Sequence, residues 1–134
     1  MREYNLFIVK KELVYLYQNN PEILFKILYN LYKLKRCFNY GVSLYNQLCL
    51  PFEVEIISKY LSDKYNLENK KDFYINGTLI KLKPSRVIVK SQYNLPNIIK
   101  IFNYYSHNIF VCDFNKKDYF WLKQFIKNKS LEYI

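Results

Sequence analysis

The side chains best suited to acid–base or nucleophilic chemistry lie near the carboxyl end of the chain. His107 is the only histidine, and a general base needs a nucleophile or an orienting carboxylate within hydrogen-bond reach. Its Tyr-Ser-His-Asn context shows no catalytic motif and lies between a predicted helix and a predicted strand, so we interpret His107 as a loop residue. Cys112 precedes Asp113, but a neighbouring carboxylate makes a thiol less reactive. Strand alternation sends these two side chains to opposite faces, which predicts Cys112 in the core.

Asp113 and Asp118 are the carboxylate pair that could bind a metal, since magnesium sites use one or two carboxylates. Two carboxylates alone do not define such a site, and Asp113 is well placed to cap the turn through Phe114-Asn115. The three cysteines, Cys37, Cys49 and Cys112, include no Cys-x-x-Cys pair. This pattern favours buried free thiols over a disulfide framework or a zinc site. The sequence therefore predicts no catalytic residue, no metal and no cofactor.

The net charge of +10 implies either an acidic partner or simple solubility. Lysines and aromatic rings are interleaved near the carboxyl end, as in proteins that bind single-stranded nucleic acid. These residues are Lys116, Lys117, Lys123, Lys127 and Lys129 with Tyr119, Phe120, Trp121 and Phe125. Only three of the 21 basic residues are arginine, the side chain that makes bidentate hydrogen bonds to phosphate. A basic, aromatic-rich RNA- or DNA-binding module is therefore the second hypothesis.

Hydrophobic periodicity predicts one α+β domain over residues 1–134, with helices packed on a single mixed or antiparallel sheet. At 134 residues, half of them hydrophobic, the chain can build a core without disulfides. The predicted strands span residues 4–9, 73–75, 78–82, 86–90 and 109–113. The predicted helices span residues 10–18, 21–34, 43–49, 52–65 and 96–105.

Local signals refine this arrangement. Residues 4–9 are apolar on both faces, which predicts a central strand. Asn20 is expected to cap the second helix, with Pro21 at its first position. Asn76-Gly77 predicts a type I′ hairpin turn.

The amino end lacks the basic start and long apolar stretch of a signal peptide. The longest uncharged stretch, residues 37–52, is too short and too polar to span a bilayer. We therefore expect a cytoplasmic protein, monomeric and without a membrane partner.

The first predicted helix is the best candidate for a partner surface. One of its faces carries Lys10, Leu13, Val14 and Tyr17. From periodicity alone, packing of this face on the sheet is the favoured interpretation. Tyr15 and Leu16, however, place apolar groups elsewhere on the circumference. An exposed remainder of this kind would form a partner patch with an aromatic anchor.

Two collinear blocks of the chain have a specific pattern. Residues 111–122 contain Asp-Phe-Asn-Lys-Lys, followed by Tyr119 and Trp121-Leu122. Residues 4–17 contain a predicted strand and then Lys10-x-Glu12 at the start of the first predicted helix. Leu13 follows, with Tyr17 four positions later. These blocks resemble the sporulation inhibitor of replication family, SirA, and the helix at residues 96–105 also falls where that family has one. Residues 33–71 do not align.

Members of that family bind the N-terminal domain of the replication initiator DnaA and prevent new rounds of replication during sporulation. The resemblance implies a small, non-enzymatic inhibitor with DnaA as its partner. The family's contact helix matches Leu13 and Tyr17, although leucine stands here where the family has an aromatic residue. Together with Val14 and Lys10, these are the predicted partner-binding residues.

Overall fold

The computed structural model describes residues 1–34, 45–68 and 70–132. Within those ranges, seven strands form one antiparallel sheet. The strands are β1 (Arg2–Val9), β2 (Cys49–Leu50), β3 (Asp72–Ile75), β4 (Thr78–Leu82), β5 (Val87–Ser91), β6 (Ile109–Asp113) and β7 (Asp118–Trp121). Their order is β3-β4-β5-β1-β6-β7, with β2 paired to the end of β1. The predicted α+β class is confirmed.

Helices cover both faces of this sheet. They are α1 (Lys11–Tyr17), α2 (Pro21–Lys33), α3 (Val54–Tyr65), α4 (Phe102–Tyr105) and α5 (Leu122–Glu132), with a 3₁₀ helix (Asn97–Ile101) leading into α4. Residues 45–48 are also helical, within the helix predicted at 43–49. Residues 43–44 of that prediction, and the predicted buried thiol of Cys37, lie outside the described residues. Every helix in the described ranges is too short or too polar to cross a bilayer.

The central strand is β1, as its two-sided apolar sequence predicts. Its amino-terminal half pairs with β5 and its carboxyl-terminal half with β6. Tyr4, Leu6 and Ile8 face one core, whereas Phe7 and Val9 face the other. A strand buried on both faces holds its register firmly, because a shift of one residue would exchange the two cores.

The first core lies between the sheet and α3, the 3₁₀ helix, α4 and α5. Its buried helical residues are Ile57, Leu61, Ile99, Phe102 and Leu122. The second core lies on the opposite face beneath α2, which contributes Leu24, Phe25 and Leu28. The short helix α1 packs at the margin of this second core.

Two local predictions need correction. Residues 96–105 form a 3₁₀ helix and one α-helical turn rather than a single α-helix. The 3₁₀ geometry aligns side chains at i and i+3, which brings both Ile99 and Phe102 into the core. Asn20 precedes α2 but makes no side-chain cap, because its backbone at φ −132° and ψ 56° is not in the extended conformation usual for a cap.

Candidate protein-binding surface

The helix α1 is a short segment with no fully buried residue. It begins directly after β1, where the backbone N–H of Lys10 donates to the Leu48 carbonyl at 2.9 Å. No side chain caps its amino end. A helix of seven residues is not stable by propensity alone, so its contact with the core must hold it in place.

The four predicted partner-binding residues lie at the boundary between α1 and the protein. Leu13, Val14 and Tyr17 pack against the second core, yet all three stay half-buried. Lys10 is likewise half-buried at the start of the helix. The predicted face therefore anchors α1 while keeping part of its surface accessible, and its role in partner binding stays a prediction.

The apolar residues of α1 that point into solvent are Tyr15 and Leu16. They are 72% and 59% exposed, respectively. A tyrosine and a leucine left this accessible beside each other form an apolar patch that the fold itself does not use. The sequence indicated that α1 carries apolar groups on more than one side, and the structure leaves these two uncovered.

A groove of about 370 Å³ separates α1 from the amino end of α5. Three lysines, polar side chains and the single tryptophan surround it. Its lining residues are Lys11, Val14, Tyr15, Gln18, His107, Asn108, Trp121, Lys123, Gln124 and Lys127. No aspartate or glutamate is among them, so this groove is a locally basic site beside the apolar patch.

Trp121 lies at the inner side of this groove and is 5% exposed. Its ring packs against Phe110, with centroids 4.8 Å apart. The indole Nε1 is buried and has no hydrogen-bond acceptor among the described residues. Buried donors are nearly always paired, so an unpaired one needs an explanation.

Two groups of residues that the sequence relates to different hypotheses line this groove. Val14 and Tyr15 belong to the predicted partner helix, whereas Trp121, Lys123 and Lys127 belong to the basic and aromatic cluster of the second hypothesis. The fold brings both groups together, since β6 and β7 place the start of α5 next to α1. Non-local strand pairing creates this proximity, and no local sequence signal could have revealed it.

The C-terminal block that carries the family resemblance is largely structural. Asp113, Phe114, Trp121 and Leu122 are all buried. Phe114 packs on the rings of α2, and its centroid lies 4.5 Å from that of Tyr32. The Asp-Phe-Asn motif therefore builds the turn after β6 and closes the second core.

The two aspartates considered as metal ligands bind an arginine and backbone amides. Asp113 Oδ2 accepts a hydrogen bond from Arg2 Nε at 2.8 Å, and Asp118 Oδ2 lies 3.3 Å from Arg2 Nη2. Asp113 Oδ1 accepts from the amides of Asn115 and Lys116, each at 3.1 Å, which confirms the predicted turn cap. Burial alone would lower the pKa of Arg2, but its hydrogen bonds and charge interactions with Asp113, Tyr4 and Asp118 together raise that pKa.

The remaining reactive side chains occupy distinct environments. His107 is exposed in the loop before β6, as predicted, and lines the groove. Cys49 and Cys112 are buried free thiols, which confirms both predictions. Burial raises the pKa of Cys49 to about 12 and raises that of Cys112 well above its ordinary value. Within the described ranges, no three potential metal-ligating side chains cluster.

The chain matches no model of a known protein family and no curated protein. The resemblance to the sporulation inhibitor family therefore stays a prediction, which rests on the two quoted blocks and on the position of residues 96–105. One of these blocks, residues 111–122, has an evident structural role, while the other contains α1.

Proposed function

We propose that this chain is a non-enzymatic protein-binding domain that uses α1 to dock on an acidic, partly apolar surface. The observation that carries the proposal is the pairing of exposed Tyr15 and Leu16 on a helix that has no buried residue. The partner that we propose is the N-terminal domain of the replication initiator DnaA, because the family resemblance implies it. The chain would then inhibit chromosome replication during sporulation.

Burial of the apolar patch supplies the affinity in this proposal. Covering a leucine side chain contributes roughly 1.5–3 kcal/mol. Tyr15 adds a large ring at a low entropic cost, since only two torsions must be fixed. The half-buried Leu13 and Tyr17 hold the helix from below and contribute their accessible edges.

The positive charge of the chain increases the rate at which it meets an acidic partner. A chain with a net charge of +10 attracts an acidic partner over distances longer than a contact. The lysines around the groove lie next to the apolar patch, so long-range attraction and burial act at the same surface. Inhibition would follow from occupying a surface that the initiator needs for assembly at the origin, with no bond made or broken.

Nucleic acid is the second candidate, and the lysines of the groove favour it. Binding to single strands also requires ring faces on which bases can stack. Trp121, the ring that lies among these lysines, is 5% exposed and already packs on Phe110. The accessible aromatic side chain at the groove is Tyr15, which sits beside an exposed leucine. This combination favours a protein partner.

Calorimetric titration of the chain with the DnaA N-terminal domain tests the proposal. We expect binding that weakens at least about tenfold in both Tyr15→Ser and Leu16→Ser, because each removes an exposed anchor. Tyr17→Ala should weaken binding as well, with circular dichroism to verify that α1 persists. Tyr104→Ser is the matched control, since Tyr104 is 87% exposed on α4, beyond the opposite face of the sheet.

Two results would overturn this assignment. The absence of heat on titrating the wild-type chain would exclude DnaA as the partner. Equal losses in Tyr15→Ser and Tyr104→Ser would exclude α1 as the binding surface. An electrophoretic shift of labelled oligonucleotide that declines steeply with salt would instead support the nucleic-acid candidate.

A further inference from the structure

The groove between α1 and α5 has the charge of an anion-binding site. Lys11 from α1 meets Lys123 and Lys127 from α5 across it, and no described carboxylate lines it. The four ion pairs found among the described residues lie elsewhere, and none involves these lysines. Three lysines thus line one cavity, and no described acidic side chain lines it.

The amino end of α5 adds a second source of positive potential. Lys123 and Gln124 lie in the first turn of this helix, where backbone N–H groups lack partners within the helix. Trp121 precedes the helix, and an indole has no acceptor with which to cap those amides. The aligned peptide dipoles therefore favour a negative group beside residues that line the groove.

The indole of Trp121 is the third and independent observation. Its N–H is buried without an acceptor among the described residues, on a side chain that lines the groove. A buried donor left unpaired costs free energy, and an acceptor that displaced the groups covering this N–H would recover that cost. Because an oxyanion offers acceptor atoms and negative charge together, it suits all three features.

We infer that this groove binds the carboxylates of an acidic segment of a protein partner. The choice of a protein segment rests on the proposed function, whereas the anionic chemistry rests on the groove itself. Val14 and Tyr15 give one wall an apolar surface, which fits a peptide in which acidic and apolar side chains alternate. The lining contains no arginine, the side chain best suited to bidentate phosphate binding.

The chain offers a direct spectroscopic test, because Trp121 is its only tryptophan. One indole ¹⁵N–¹H resonance therefore reports on the groove without ambiguity. We expect an oligoglutamate peptide to move this resonance downfield in a saturable manner. The matching oligoglutamine peptide should leave it in place, since it has acceptors but no charge.

Two sets of variants test whether binding depends on the lysines of the groove or on the net charge of the whole protein. Anisotropy of a labelled oligoglutamate should show about tenfold or greater weakening in the triple variant Lys11→Gln, Lys123→Gln, Lys127→Gln. The matched control removes the same charge from three exposed lysines outside the groove: Lys59→Gln, Lys71→Gln, Lys83→Gln. It should bind within about twofold of the wild type, because distant charges are screened. Trp121→Phe, which removes the N–H and keeps a ring, should weaken binding several-fold.

Any of three outcomes would overturn the inference. The first is that oligoglutamate leaves the indole resonance unshifted. The second is that the two triple variants lose affinity for oligoglutamate equally. Oligothymidine could move the indole resonance where oligoglutamate does not, which would assign the groove to nucleic acid. Failure of the DnaA titration alone would change the identity of the partner and leave these peptide results unaffected.

Discussion

Arg2 Nε lies 2.8 Å from Asp113 Oδ2, which ties the start of β1 to the turn after β6. The carboxylate of Asp113 is 1% exposed, and its other oxygen accepts two backbone amides. Arg2 also reaches Asp118 on the far side of the turn. One guanidinium therefore bridges the two sides of the turn between β6 and β7, the hairpin that leads into α5.

This relationship predicts unequal costs for removing the two aspartates. Asp113→Ala should lower the free energy of unfolding by about 3 kcal/mol, since it leaves the Nε of Arg2 and two backbone amides without their acceptor in a partly buried place. Asp118→Ala should cost less than about 1 kcal/mol, because Asp118 is 53% exposed and its contact is longer. Urea denaturation followed by Trp121 fluorescence measures both. Equal losses in the free energy of unfolding would show that the buried contact of Asp113 stabilises the fold no more than the exposed contact of Asp118.

We expect substitutions on the packed side of α1 to affect stability, and substitutions on its exposed side to leave stability nearly unchanged. Leu13→Ala should lower the free energy of unfolding by about 1–2 kcal/mol, less than for a fully buried leucine because Leu13 is half-buried. Leu16→Ser should change it by no more than about 0.5 kcal/mol, since Leu16 is exposed. Thermal and urea unfolding test this contrast. A large loss in Leu16→Ser would mean that the exposed patch supports the fold.

Much of the fold was predictable because its signals are local. The Asn76-Gly77 turn fixes the β3–β4 hairpin in the expected register, with Ile75 opposite Thr78. The two-sided apolar sequence of β1 identified the centre of the sheet. Each of these features depends on residues close together in the chain, where periodicity and turn preference are informative.

Three elements escaped prediction for physical reasons. The strand β2 has two residues, too few to show a period. The strand β7 has no clean alternation of buried and exposed positions, and it forms through a turn closed by Lys117 at φ 54°. The helix α5 is polar over most of its length, so its apolar stripe is weak. The groove depends on β7 and α5, so it could not be predicted either.

The hairpin turn itself predicts a backbone effect. Gly77 has φ +77°, which L side chains rarely adopt, while a Cβ there would meet only ordinary contact with Tyr93 at 3.5 Å. Gly77→Ala should therefore cost about 1–2 kcal/mol through strain rather than collision. Asn76→Gly should stay within about 0.5 kcal/mol, because glycine accepts the φ of 49° at that position. Similar losses in the two variants would contradict this account.

The buried thiols predict that the protein loses stability in alkali. Burial raises the pKa of Cys49 from 9.0 to about 12, so the folded state holds a proton that the unfolded chain releases. This contribution is complete below about pH 9 and falls above it, with a slope that approaches about 1.4 kcal/mol per pH unit for each such thiol. Urea unfolding between about pH 9 and pH 10, a window above the ordinary thiol pKa, should show this slope in the wild type. In Cys49→Ala, the decrease of the free energy of unfolding with pH should be smaller by the contribution of one thiol, even if the variant is less stable at every pH. Identical slopes in the two proteins would show that Cys49 ionises as readily when folded as when unfolded.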